Sequence, residues 1–249
     1  MIQGDVAAYF ESGNQPRSVE TISYNASDPG GKSYGKYQLS VRSGTLKKYI
    51  AWSRFNDKFK YANPGSKEFD KIWVTIAKEE PEFEKDQYEF IELTHFKPVQ
   101  RYAKLQGFDT NNFALNEALF SIGVQHGGFK NIIDLAVRQR ACAKPSVKED
   151  IENLYKARDT YVSKIGLPKN IENALHNRYK KELAMVTALY TNLMNEKSEG
   201  DSYFAYISEI SLNKFVWYIL YLLYHTVGEK HVLNTIRNWR GLYYQKVSI

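Results

Sequence analysis

At 249 residues the chain can build one sizeable core, with or without an appendage, and 43% apolar with 25% charged residues reads as soluble and globular. The net charge of +6 favours anionic partners, namely cell walls, nucleic acid or acidic membrane surfaces; no run of five basic residues, zinc-finger pattern or helix-turn-helix signature occurs, so nucleic acid is not expected. A single cysteine, Cys142, excludes an intramolecular disulfide and a cysteine-rich metal site and is expected to be a buried or inert thiol, and the dispersed histidines lack a His-Glu-x-x-His pattern, so neither metal nor cofactor is expected.

In chain order, residues 3 to 12 read as a helix ending near Gly13, and the Gly/Pro/Asn-rich stretch to 35 reads as loop with short extended pieces. Residues 45 to 59 are amphipathic and read as a helix, with Leu46, Tyr49, Ile50 and Phe55 on one side and lysines elsewhere. Asn63-Pro64-Gly65 breaks the chain, Ser66 is placed to cap the next helix, and Phe69, Ile72, Trp73 and Ile76 follow at helical spacing. Further helices are expected at 81 to 105, 112 to 124, 128 to 142, 146 to 162 and 168 to 196, separated by Pro98, Gly107, Gly127-Gly128, Pro145 and Pro168. Strand signals are few, so the expected fold is mainly α.

Lys197 to Ser202 is short, charged and polar, which divides the chain into a main domain at 1–198 and an apolar helical extension at 199–249. Within the extension, Phe215-Val216-Trp217-Tyr218-Ile219-Leu220-Tyr221-Leu222-Leu223-Tyr224 is unbroken and apolar. It reaches about half of the ~20 residues that a membrane-spanning helix needs. A helix packed on the main domain or on a partner is expected instead of a span. No basic segment followed by an apolar one opens the chain, so classical secretion is not expected.

Two carboxylates sit in unlike surroundings. Glu11 closes the apolar run Val6-Ala7-Ala8-Tyr9-Phe10-Glu11, where lost hydration favours the protonated acid. Asp28 lies in the polar turn Asp28-Pro29-Gly30-Gly31-Lys32-Ser33-Tyr34-Gly35-Lys36-Tyr37-Gln38, where solvent and backbone N–H groups favour the ion. A proton donor and a base of this kind, on two sides of a cleft, are what acid-assisted glycosidic cleavage by an activated water requires. Glu20 is a second carboxylate in the same loop and competes with Asp28 for the base role, and Thr21 is a candidate for holding the water, against the commoner role of a turn hydroxyl. Ser33, Tyr34 and Gln38 are candidate substrate contacts, against packing for Tyr34 and loop fixation for Gln38. His95 and His126 are candidates for the cleft floor or for orienting Glu11 or Asp28, against the commoner role of a satisfied structural histidine. Arg178 and Glu182, four apart on a helix, are expected to pair with each other.

Glu-Ser-Gly followed by Asp-x-Gly-Gly-x-Ser-Tyr-Gly-x-Tyr-Gln resembles the lysozyme-like superfamily, and within it the peptidoglycan-hydrolase domain of phage lysins and of proteins related to type VI secretion spike tips. Three more segments carry the resemblance, which spans roughly residues 5 to 195: 87 to 96, Ser121-Ile122-Gly123-Val124-Gln125-His126-Gly127, and Tyr155-Lys156-Ala157-Arg158 with Asn177-Arg178-Tyr179-Lys180-Lys181-Glu182. Phe96 and Phe120 depart from it, standing where Tyr and Trp are expected. The Glu11-to-Asp28 spacing is also similar to that of bacterial chitosanases, an inverting branch of the superfamily.

The resemblance implies a lysozyme-like α+β fold, with a helical core and a small loop and β region bearing the aspartate, and an inverting muramidase acting on peptidoglycan glycan strands. Synthesis in the cytoplasm and action in the periplasm or at the cell wall then require a phage- or secretion-dependent route, with a delivery or immunity protein as a possible partner. The rival readings are a lytic transglycosylase, for which Asp28 is dispensable; a chitosanase, whose polycationic substrate the positive charge disfavours; and a wall-binding phage structural module without turnover.

Overall fold

The computed structural model describes residues 3–11, 19–24 and 31–209, with side chains through 195. The mainly helical expectation holds. Helix α1 spans Asp5–Glu11 and buries Val6, Ala7 and Ala8. Three two-residue strands follow, β1 (Ile22–Ser23), β2 (Ser33–Tyr34) and β3 (Leu39–Ser40), in an antiparallel sheet of that order with Ile22 opposite Tyr34 and Ser33 opposite Ser40. The turn after β2 depends on Gly35. Its φ is +74°, and a Cβ there would stand 2.1 Å from Gln87 Oε1, so no other residue fits without displacing the side chain beneath.

The remaining elements are helical. The amphipathic segment at 45 to 59 forms two helices, α2 (Thr45–Trp52) and α3 (Asn56–Phe59), where one was expected. The break lies at Ser53, whose backbone is extended. Its hydroxyl donates to Asp86 Oδ2 at 2.6 Å and accepts from the Phe55 N–H, and such local bonds compete with helix continuation.

Ser66 caps α4 (Lys67–Glu79) by accepting from the Phe69 N–H, as expected. The stretch at 81 to 105 holds α5 (Phe83–Ile91), a π-helix at Glu92–Phe96 and α6 (Lys97–Leu105). Pro98 lies in the first turn of α6, directly after the π-helix, and the chain stays helical through it, so it does not separate two helices. Next come α7 (Phe113–Gln125), α8 (Phe129–Arg138) and α9 (Val147–Lys164), the last opened by a capping box between Ser146 and Glu149. Helix α10 runs Lys169–Glu209, straight through the polar stretch at 197 to 202.

Two aromatic clusters fill much of the interior. Trp73 is fully buried against Tyr34, Tyr49, Phe59, Phe69 and Phe83. Phe120 of α7 stacks on Phe96 and Tyr88 and meets Tyr37. Helix α7 is buried from Ala114 to Ile122 and packs against α1, α6, α9 and the π-helix, so it is the central rod of the fold.

Cys142 is exposed, not the buried thiol of a core. The chain divides into two compact units, Met1–Asn192 and Leu193–Ile249. Among the described residues no helix is long and apolar enough to cross a membrane; the apolar run at 215 to 224 lies outside them.

Candidate active site

Both ends of the short helix α1 are tied down. At its start, Glu117 of the central helix accepts the backbone N–H of Gly4 at 2.6 Å and of Val6 at 3.0 Å, and the Gln3 amide at 2.7 Å. A carboxylate from another helix thereby satisfies N–H groups that α1 cannot bond internally. Burial pushes the Glu117 carboxyl up to about 7, against the opposing pull of these donors. At the other end, Glu11 Oε1 stands 2.8 Å from Nη2 of Arg178 on α10. That contact is an ion pair.

Arg178 also donates from Nε to Glu182 Oε1 at 2.6 Å, the i,i+4 pair expected from their spacing. The second oxygen of Glu182 accepts from Arg158 Nη1 at 2.5 Å, from Ser121 Oγ at 2.9 Å and from Tyr155 at 3.3 Å. Glu182 and Arg158 are fully buried. Burial alone would push the Glu182 carboxyl up, but the two guanidinium groups overcome it and hold it below the usual range. Arg178 is likewise held above its ordinary value: burial lowers it, and the charges of Glu11 and Glu182 more than offset that. The result is an alternating chain of charges, Arg158, Glu182, Arg178 and Glu11, that starts in the core and ends at a carboxylate 21% exposed. Glu11 was expected at an apolar wall; its nearest charged neighbour is a cation.

A family model for the type VI secretion system spike protein VgrG3-like, C-terminal region matches residues 3–183. The chain belongs to that family. Over 133 residues it is also 37% identical to the type VI secretion system spike protein VgrG3 of Vibrio cholerae serotype O1, a match covering 52% of this chain and 13% of that protein. The matched VgrG3-like region holds Glu11, Arg158, Arg178 and Glu182 together with both segments that flank Asp28.

Asp28 itself lies outside the described residues. Glu20 is exposed in the turn before β1, and Thr21 is half-buried there, its carbonyl accepting the Gly35 N–H at 2.7 Å. Ser33 is buried in β2. Tyr34 is fully buried, and its hydroxyl donates to Asp70 Oδ1 at 2.6 Å. The Gln38 amide is engaged at both ends: Oε1 accepts from Ser23 Oγ at 2.6 Å, and Nε2 donates to the Gly35 carbonyl at 2.9 Å. These bonds hold Gln38 at φ +53° and brace the sheet turn. His126 is buried and pairs through Nε2 with the Tyr179 hydroxyl at 3.0 Å. Burial, then the charges of Arg158 and Arg178, push it down to about 3, so the ring is neutral at physiological pH. His95 is half-buried in the π-helix. Its burial and the nearby Lys48 charge lower its pKa.

Sequence reasoning missed two supports of this candidate site, Glu117 and the ion pair of Arg158 with Glu182. Glu117 lies inside the apolar stretch Phe113-Ala114-Leu115-Asn116-Glu117-Ala118-Leu119. A charge so placed asks for a buried partner, and that is the signal that could have found it. The Arg158 and Glu182 pair spans 24 residues, and no local spacing rule reaches that far.

Proposed function

We propose that this chain is a lysozyme-like glycoside hydrolase domain that cuts the β-1,4 glycan backbone of peptidoglycan and acts as an antibacterial effector linked to type VI secretion. Glu11 protonates the leaving oxygen as the sugar carbon becomes oxocarbenium-like, and Asp28 removes a proton from water attacking the opposite face, which inverts the configuration. The observation that carries this reading is the placement of Glu11. A carboxylate ending a seven-residue helix is held between a capping Glu117 and a buried chain of charges, yet stays open to solvent. Such support from neighbouring side chains is what a group needs to meet a substrate in one geometry.

Arg178 partners the carboxylate, whereas general-acid catalysis uses the carboxylic acid. The reading therefore requires the Glu11–Arg178 contact to loosen as a glycan enters, with Glu182 retaining the guanidinium. Membership of a VgrG3-like family supports the link to secretion; the wall substrate rests on the ordered motifs around Glu11 and Asp28.

Mass spectrometry of peptidoglycan digested by the purified protein tests the reading. Products with reducing ends support hydrolysis, 1,6-anhydro ends assign a lytic transglycosylase, and intact glycan with bound protein leaves a binding module.

A further inference from the structure

The π-helix at Glu92–Phe96 holds a group whose hydrogen-bonding state can be deduced from its neighbours. Thr94 Oγ1 lies 2.6 Å from the Phe90 carbonyl oxygen and 2.7 Å from His95 Nδ1. A threonine hydroxyl has one hydrogen and two lone pairs. The carbonyl can only accept, so the hydrogen points to Phe90, and the hydroxyl oxygen accepts from Nδ1–H. Neutral His95 is then the Nδ1–H tautomer, and its Nε2 carries an acceptor lone pair with no partner among the described residues. The backbone here has little room to shift: a Cβ on Gly123 of the central helix would stand 2.5 Å from the His95 carbonyl oxygen.

Two more groups reach the surface beside this ring. Phe90, itself buried, has the Trp52 indole 5.6 Å away and the His95 ring 6.3 Å away, centroid to centroid. Trp52 is 40% exposed at the end of α2. Lys48 lies four residues before it on the same helix, hence on the same face, near enough that its charge lowers the His95 pKa. Lys48 makes no ion pair among the described residues. An exposed indole and a neutral acceptor thus flank the Phe90 ring, with an unpaired cation one turn before the indole on α2, and few but directional polar groups around an aromatic surface are how small polar ligands are held.

We propose that Trp52, His95 and Lys48 form a subsite for an acidic amino-sugar ring of the glycan strand. The indole stacks on the sugar face, His95 Nε2 accepts a hydroxyl or acetamido hydrogen, and Lys48 pairs with a carboxylate on the ring's substituent. This rests on the peptidoglycan reading for the identity of the ligand.

The test uses the full chain carrying Glu11→Gln, so that the probes stay intact, titrated by NMR with two tetrasaccharides. One alternates N-acetylglucosamine and N-acetylmuramic acid; the other is neutral chitotetraose. Trp52→Ala and His95→Phe are each expected to weaken the muramic-acid probe about tenfold, while His95→Gln, whose carbonyl replaces the acceptor, retains most affinity. Lys48→Gln weakens that probe and leaves chitotetraose unchanged. Nitrogen shifts of His95 should report the Nδ1–H tautomer without any ligand. An Nε2–H tautomer, or unchanged affinity in well-folded His95→Phe or Lys48→Gln protein, overturns the subsite. Wild-type protein that binds with these dependences but never releases reducing ends overturns the hydrolase reading alone.

Discussion

Arg178 touches Glu11 with one arm of its guanidinium and Glu182 with another, so the carboxylate at the end of α1 is tied to a fully buried anion on α10. That arrangement makes two kinds of side chain separable by experiment. Some hold the carboxylate in place, and one is assigned the chemistry.

Glu11→Gln keeps the shape of the side chain but removes its acidic proton. Release of reducing ends from purified sacculi is expected to fall by ~10²–10⁴-fold, the usual contribution of a general acid. Because Glu182 still pairs with Arg178, stability should change much less than on loss of Glu182 itself. Near wild-type turnover would remove Glu11 from the mechanism.

Asp28→Asn should abolish most hydrolysis, with part of the rate returning when azide is added, because a small anion can replace the activated water. The readout is product analysis with and without azide. Full activity in Asp28→Asn protein would transfer the base role to Glu20 or favour the transglycosylase.

Glu182→Gln leaves Arg158 fully buried without its counter-charge. Breaking a buried pair by removing one partner typically costs ~3–5 kcal/mol, so the urea midpoint of Glu182→Gln should drop sharply. A double change, Arg158→Met with Glu182→Leu, should recover much of that loss, because no uncompensated charge is left in the core. Midpoints that are equal in the single and double variants would contradict the assignment of the cost to a stranded cation.

His126 sets an acid limit. Its folded pKa is depressed to about 3, chiefly by burial, whereas an unfolded histidine titrates near ~6.5. Between these values the unfolded chain binds the extra proton, so stability falls as pH drops through that window, by at most ~1.4 kcal/mol per pH unit from this group. Above pH ~6.5 its contribution is constant. His126→Gln cannot take up the proton, and its stability should decline less steeply between pH 6 and 4 in thermal melts. Parallel slopes for the two proteins would show that His126 is not the group titrating.

Much of the helical framework was legible in the residue pattern. Ser66, Asn112 and Ser146 stand at helix starts because each offers a side-chain oxygen to a free N–H three residues on. The apolar positions Leu46, Tyr49, Phe69, Trp73 and Ile76 are buried as their spacing implies. Boundaries that depended on distant partners were not legible. Ser53 breaks α2 from α3 because Asp86, 33 residues later, takes its hydroxyl hydrogen. Pro98 looked like a helix breaker and is instead absorbed in a first turn after a π-helical stretch.

The site divides the same way. Glu11 at the end of an apolar helix and the Arg178–Glu182 spacing are local facts, and local patterns determined them, as they determined the mainly α fold, because hydrogen bonding and side-chain facing within a helix depend on neighbours three and four residues away. Only the tertiary structure decided that the Gln38 amide braces a turn, that Tyr34 turns its hydroxyl to Asp70, that Glu117 caps α1 from 111 and 113 residues away, and that a guanidinium faces Glu11. Desolvation and charge pairing act through space, and which groups a buried charge meets is set by how the helices pack.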